Sequence, residues 1–247
     1  MGRLGLVLLA MVAGAQDAPQ QTGAAPVRAL VVTGGHDFER PQFVAMFDSL
    51  NGIAWKEVVQ PEANTLYTPE AAQEYDVIVF YDMWQDITDE QKAQLVKLVK
   101  EEGKGVVALH HCLVSYQAWP EFTAMIGGKF TFGEMEFDGV KYGPNTFDHG
   151  QNFRVQIVDP NEPVTKGLSD FDIVDETYGG FYVAKDVKPL LKVDHPKSGP
   201  IVGWSKNYGK ARVVYLQGGH DHTAFENESY RALVRNAILW VANPGSE

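Results

Sequence analysis

The sequence predicts an α/β fold with a mainly parallel central sheet and a β-rich extension in its second half. In the first half, short apolar runs alternate with stretches of helical spacing, the pattern of βαβ units. From Gly127 to about Pro200 the pattern changes to short β-like pieces rich in Gly, Asp and aromatic residues. The tetrapeptide Gly-Gly-His-Asp also occurs twice, at residues 34–37 and 218–221, each time directly after an apolar run. Open parallel sheets bind ligands outside the carboxyl ends of their strands, so these repeats mark one prospective crevice.

Arg28 to Thr33 is expected to be a strand, followed by a helix that Pro41 opens, with Phe43, Met46, Phe47 and Leu50 on one face before Gly52. Trp55 to Val59 is a weaker strand, and Tyr75 to Tyr81 a strong one that ends in Asp82-Met83-Trp84. Thr88 and Gln91 form a capping box for a helix that carries Leu95, Leu98 and Val99 and stops at Gly103. Gly105 to Leu109 is the next strand, and Pro120 to Ile126 reads as helix. In the extension, strands are expected at Phe153 to Val158, Phe171 to Val174 and Val187 to Val193. Ile201 to Ser205 and Arg212 to Leu216 follow, and then a helix capped by Asn227, with Tyr230, Leu233, Val234, Ala237, Ile238 and Val241 in register.

A chain of 247 residues with 45% hydrophobic content can bury a sizeable core. Its formal charge of −11 disfavours nucleic acid and anionic membranes as partners and leaves a small molecule as the expected ligand. Residues 1–15 read as a signal peptide: Arg3, an apolar stretch from Leu4 to Val12, then Ala13-Gly14-Ala15. A periplasmic or secreted location is the expectation, with 16–26 as a flexible linker and 27–244 as a single domain. The lone Cys112 cannot form an internal disulfide.

Four of the seven histidines sit at strand ends: His36, the pair His110-His111, and His220. Imidazole suits acid–base work near neutral pH or metal ligation. The alternative is that each histidine only holds a neighbouring loop. His36, His220 and one of His110 and His111 can also be read as nitrogen ligands for a divalent metal such as zinc, with water completing the shell. Asp37 and Asp221 stand at the same rim. Asp82 lies among Tyr81, Met83 and Trp84, and Asp175-Glu176 lie near Tyr178, Phe181 and Tyr182. Aromatic faces beside carboxylates can stack and hydrogen-bond a sugar ring, and Trp119 and His149 join these candidates. Core aromatics beside an acidic turn are the alternative. Cys112 is either a nucleophile paired with a histidine or a small buried hydrophobe.

An ordered set of motifs resembles the ThuA-like, trehalose-utilisation family: Val106 to His111, Trp119-Pro120-Glu121-Phe122, Ile126 to Phe130, Asp175-Glu176-Thr177-Tyr178, Gly203-Trp204, Tyr208 to Val213, Gly219-His220-Asp221 and Trp240-Val241-Ala242. The resemblance spans about Val27 to Pro244. It implies a flavodoxin-like three-layer sandwich of the class I glutamine amidotransferase-like superfamily, and a link to disaccharides and 3-keto-glycosides. It places His110 where related amidotransferases carry their cysteine, His220 near their histidine, and His222 where their acid is expected. The catalytic candidates are therefore His110, His111 and His220, with His110 favoured as the member of the pair that faces the crevice and as the metal ligand beside His36 and His220. The expected function is that of an exported carbohydrate-processing enzyme, a keto-sugar isomerase or glycoside-cleaving lyase or hydrolase. A non-catalytic sugar-binding protein and a cysteine-dependent amidotransferase-like hydrolase are the alternatives.

Overall fold

The computed structural model describes Gly2 and residues 25–243. The expected signal peptide lies outside the described residues apart from Gly2, as does the linker apart from residues 25 and 26. In chain order the strands are β1 (Val27–Gly34), β2 (Ile53–Val59), β3 (Val77–Asp82), β4 (Gly105–Leu109), β5 (Gly128–Lys129), β6 (Met135–Phe137), β7 (Val140–Tyr142) and β8 (Thr146–Ile157). They continue with β9 (Phe171–Gly179), β10 (Tyr182–Val183), β11 (Lys188–Val193), β12 (Ile201–Tyr208) and β13 (Ala211–Leu216). The helices are α1 (Arg40–Asp48), α2 (Asp89–Val96), α3 (Pro120–Ile126), α4 (His222–Phe225) and α5 (Glu228–Ala242).

Nine strands make one sheet, ordered β2-β1-β3-β4-β13-β12-β11-β8-β9. The first five are parallel and the rest antiparallel. The order reverses between β1 and β3, and the carboxyl ends of β1, β3, β4 and β13 share one rim, where such a sheet opens a crevice. Side chains alternate between faces along each strand. Leu30, Val32, Ile78, Phe80, Val106 and Ala108 pack with Leu95 of α2 and Phe122 of α3. Ala29, Val31, Val77, Val79, Val107 and Leu109 pack with Phe43 and Phe47 of α1 and Leu233 and Ile238 of α5. The result is three layers, with each buried Val, Leu, Ile or Phe side chain contributing about 1.5–3 kcal/mol.

Local signals set the helix ends. The Thr88–Gln91 capping box forms in both directions, at 3.2 and 3.0 Å. Asn227 Oδ1 accepts from the Tyr230 amide at 3.0 Å and starts α5. The extension departs from the sequence expectation. β8 begins at Thr146 and β9 runs to Gly179, so Asp175-Glu176 lie within a strand and not in an acidic turn. Asp148, Gly150 and Gln151 are poor strand formers, and only pairing across the hairpin makes them extended. Asp148 pairs with Thr177 and Gln151 with Asp175, so His149 and Gly150 together oppose Glu176 in a bulge. A bulge of this kind re-aims a side chain, here His149. Among the described residues no helix is long and apolar enough to cross a membrane.

Candidate active site

His110 is the first residue after β4 and has φ +48°, a left-handed value that costs a non-glycine residue about 1 kcal/mol or more. Its surroundings hold it there. The Tyr215 hydroxyl donates to the His110 carbonyl at 2.9 Å, and the imidazole packs on the Tyr178 ring with centroids 5.2 Å apart. His110 Nδ1 lies 2.7 Å from the Gln217 carbonyl, which can only accept, so Nδ1 carries the proton. Nε2 is left facing the cleft.

Three groups meet that nitrogen: Tyr178 Oη at 3.1 Å, Glu176 Oε2 at 3.1 Å and His220 Nδ1 at 3.2 Å. Glu176 also touches His220 Nδ1 at 3.4 Å, and through its other oxygen His149 Nδ1 at 3.2 Å. Burial alone would raise the Glu176 carboxyl, but hydrogen bonds from His110 and His220 and their imidazole charges outweigh it and hold the group well below the usual carboxylate range. Reciprocally, Glu176 raises the pKa of His220 against the burial that opposes it.

Behind this cluster, Asp175 accepts from the amides of Gly219, His220 and Glu176 at 2.7, 3.0 and 2.8 Å. Full burial raises its pKa in spite of those bonds. Asp175 thus ties the loop after β13 to β9. On the other side His36 packs against His111, with ring centroids 4.8 Å apart, and His111 lies 4.4 Å from Tyr81. Burial, then the charges of His110 and His36, push the His111 pKa well down, so its ring is neutral. Desolvation likewise lowers His36.

These groups border a cleft of about 310 Å³ lined by His36, Met83, His110, His111, Val114, Phe130, Phe132, Phe147, His149, Glu176 and Tyr178. Phe132 and Phe147 stay 57% and 52% exposed, an apolar display that a ligand would cover. A second cavity, of about 260 Å³, opens near the amino ends of β1 and β2 beside Arg28, Trp55 and Tyr75 and has no histidine.

His36, His110, His111, His149, Glu176 and His220 therefore converge, with Asp175 in support. The remaining candidates do not line the cleft. Asp37 is exposed and borders an adjoining depression with Gly35, His36 and Arg40, His36 lining both. Asp82 is fully buried at the end of β3, where the Ser115 hydroxyl donates to it at 3.3 Å, and desolvation lifts its pKa to about 7. Trp84 donates its indole N–H to the Asp86 carbonyl, and Trp119 sits in the core against Tyr116 and Phe122. Asp221 caps α4 through the Thr223 amide at 2.9 Å. Asp82, Trp84 and Trp119 are not among the residues that line the cleft: Asp82 and Trp119 are buried, and the Trp84 indole N–H is taken by Asp86.

The ligand set expected for a metal also changes. Among the described residues, His110, Glu176 and His220 lie close enough together to hold an ion, with Glu176 reaching in from β9 while His36 packs on His111. Both members of the pair line the cleft, but His110 contacts the carboxylate and His111 stacks below. Cys112 is wholly buried and its thiol is pushed well up, which withholds the thiolate a nucleophile requires. His222 pairs with Glu39 at 2.8 Å, on the surface. Sequence reading named Tyr178 only as an aromatic neighbour of Asp175-Glu176 and Phe130 only as part of a motif, and it passed over Phe132 and Phe147. Tyr178 was detectable, since residues two apart on a strand share a face and Glu176 precedes it by two.

The trehalose-utilisation (ThuA) family model matches residues 28–241. Among solved structures, a ThuA-like protein from Parabacteroides merdae superposes with a TM-score of 0.72 at 18% identity, over 88% of this chain and 90% of that one. A ThuA-like protein from Bacteroides uniformis gives 0.67 at 24% identity, over 91% of this chain and 95% of that one. A cytoplasmic protein from Salmonella typhimurium LT2 gives 0.59 at 13%, over 86% and 99%. At these identities the structural likeness speaks for the fold alone. No curated protein matches the sequence. The family match spans nearly all of the folded chain, from the first strand to the last helix, and on that ground this chain belongs to the ThuA family, whose description is trehalose utilisation.

Proposed function

We propose that the chain is an exported carbohydrate-processing enzyme that acts on a disaccharide or a 3-keto-glycoside by proton transfer at the His110–Glu176–His220 cluster. The observation that carries this reading is that Glu176, which lines a partly aromatic cleft with His110 and His149, touches both of them and His220 as well. Phe130, Phe132 and Phe147 offer surfaces on which the C–H face of a pyranose can stack. The acidic chain favours a small neutral ligand over nucleic acid or an anionic membrane. Export rests on the leader-like residues 1–15.

A ring carbonyl acidifies the C–H beside it. When a base removes that proton, the C–H electron pair enters an enolate whose oxygen needs a donor. Returning a proton to the former carbonyl carbon, as the neighbouring hydroxyl gives up its own, moves the carbonyl by one position. Expelling a glycosidic oxygen two bonds away, with a proton delivered to it, cleaves the linkage instead. In the neutral form of His110, whose Nδ1 proton goes to the Gln217 carbonyl, Nε2 presents the lone pair of a base, and His220, whose pKa Glu176 raises, serves as the donor.

Chromatography of 3-keto-disaccharides incubated with wild-type protein and with His110→Ala and His220→Ala tests the reading. Loss of turnover by 10²-fold or more in both variants, with unchanged circular dichroism, is expected. Wild-type rates in both would end it. Tight binding with unchanged sugar recovered from the wild type would replace it with a sugar-binding role.

A further inference from the structure

The atoms that meet at the floor of the cleft form a triangle. His110 Nε2 and Glu176 Oε2 are 3.1 Å apart, His110 Nε2 and His220 Nδ1 3.2 Å, and His220 Nδ1 and Glu176 Oε2 3.4 Å. Nitrogen and carboxylate ligands sit about 2.0–2.2 Å from a divalent transition ion, which sets neighbouring ligand atoms roughly 2.8–3.6 Å apart in tetrahedral or octahedral geometry. All three edges fall in that range. We propose that His110, Glu176 and His220 form a binding site for one divalent transition-metal ion of the zinc class, with its remaining coordination positions open to the cleft.

Hydrogen bonds alone serve this triangle poorly. The Nδ1 proton of His110 is committed to the Gln217 carbonyl, so Nε2 presents a lone pair whenever the ring is neutral. With one proton on His220 Nδ1, the His110 Nε2 lone pair and Glu176 Oε2 still face each other at 3.1 Å, with the Tyr178 hydroxyl, 3.1 Å from that nitrogen, as a donor to it. With a proton on both nitrogens, the two N–H groups crowd onto the single oxygen Glu176 Oε2, at 3.1 and 3.4 Å, while the nitrogens stay 3.2 Å apart. His110 and Glu176 are almost fully buried, where water does little to relieve that crowding. A single cation accepts all three lone pairs at once.

The supporting contacts are those a ligand set needs. Gln217 orients His110 and fixes its tautomer, Asp175 holds the His220 backbone through its amide, and His149 occupies the second oxygen of Glu176, which leaves Oε2 as a single donor. Two imidazoles and one carboxylate suit zinc, iron, cobalt or manganese rather than magnesium or calcium, which take oxygen ligands. An ion here would polarise a carbonyl or hydroxyl oxygen that enters the cleft. The inference rests on the reading above only for which oxygen is polarised; in the metal-loaded protein His110 Nε2 and His220 Nδ1 would hold the ion rather than move protons, and the ion would polarise that oxygen in their place.

Metal-stripped full chain is titrated calorimetrically with Zn²⁺, and metal content is measured after dialysis, for the wild type and for Glu176→Gln, His220→Ala and His36→Ala. Co²⁺ is the spectroscopic probe of the same site. About one equivalent is expected in the wild type and in His36→Ala, with affinity reduced 10²-fold or more in Glu176→Gln and His220→Ala. The visible Co²⁺ bands should vanish in those two, with circular dichroism unchanged in all four. No stoichiometric binding by the wild type, equal affinity in all four proteins, or loss confined to His36→Ala overturns the site. Keto-sugar turnover by metal-free wild type would sink the metal and leave the proton-transfer reading intact. Stoichiometric zinc with every keto-sugar unchanged would support the site and remove that reading.

Discussion

Residues 34–37 follow β1 and residues 218–221 follow β13 with the same four side chains, yet the two copies meet different neighbours. In the first, the Gly34 carbonyl accepts from the Met83 amide at 2.8 Å, and a Cβ on Gly35 would come within 2.6 Å of the Met83 carbonyl oxygen. His36 is left at the rim on His111, and Asp37 is exposed. In the second, Asp175 binds the amides of Gly219 and His220, while the hydroxyls of Tyr230 and Tyr81 donate to the carbonyls of Gly218 and Gly219. His220 is thereby turned onto Glu176. A short motif supplies a turn and an imidazole. What the imidazole does is decided by the strand that crosses it.

The contrast is sharpest in turnover. His220→Ala is expected to lower the rate on keto-disaccharides by 10²-fold or more, and His36→Ala by less than tenfold. Equal losses in steady-state assays would erase the distinction between the copies.

Each copy also has a buried aspartate beside it, Asp175 for the second and Asp82, register partner of Gly34, for the first. Asp175→Asn turns an N–H₂ toward at least one amide that now has an acceptor, and a loss of about 2–3 kcal/mol in urea unfolding is expected. Asp82 differs because it titrates. Burial raises its pKa from 3.8 to about 7, so between these values the folded state binds more protons than the unfolded one. Stability from this group is complete below pH 3.8 and is lost as pH rises through about 7. Asp82→Asn should therefore be more stable than wild type by roughly 2 kcal/mol at pH 8 and within about 1 kcal/mol of it at pH 4. A pH-independent difference in unfolding free energy would contradict that.

The smallest effect separates the two terminal aspartates. Asp221→Ala should cost about 1 kcal/mol through loss of the α4 cap, whereas Asp37→Ala should stay within about 0.5 kcal/mol. Thermal melts of the pair would settle whether the cap is formed in solution.

Much of this architecture could be read in the linear chain because its causes are local. The parallel strands β1 to β4 and β13 lie within two residues of their predicted ends, since buried strands appear as unbroken apolar runs bounded by turn residues. Thr88 and Asn227 mark their helices for the same reason. The hairpin β8–β9 was half hidden, because Asp148, Gly150 and Gln151 are extended only when paired. Asp82, Trp84 and Trp119 looked like site residues because they follow strand ends or stand among aromatics. Their directions depend on Ser115, Asp86, Tyr116 and Phe122, which no local pattern links to them.

By itself the sequence determined the alternation of strands and helices, the helix caps, and the placing of His36, His110, His111 and His220 at strand ends, since each depends on neighbours a few residues away. Only the tertiary structure decided that β9, at the far edge of the sheet, brings Glu176 onto His110 and His220, and that the bulge in β8 turns His149 to the same carboxylate. Contacts between residues 110, 149, 176 and 220 are made by packing across the fold. Their geometry depends on residues far apart in sequence and leaves no periodic trace in the chain.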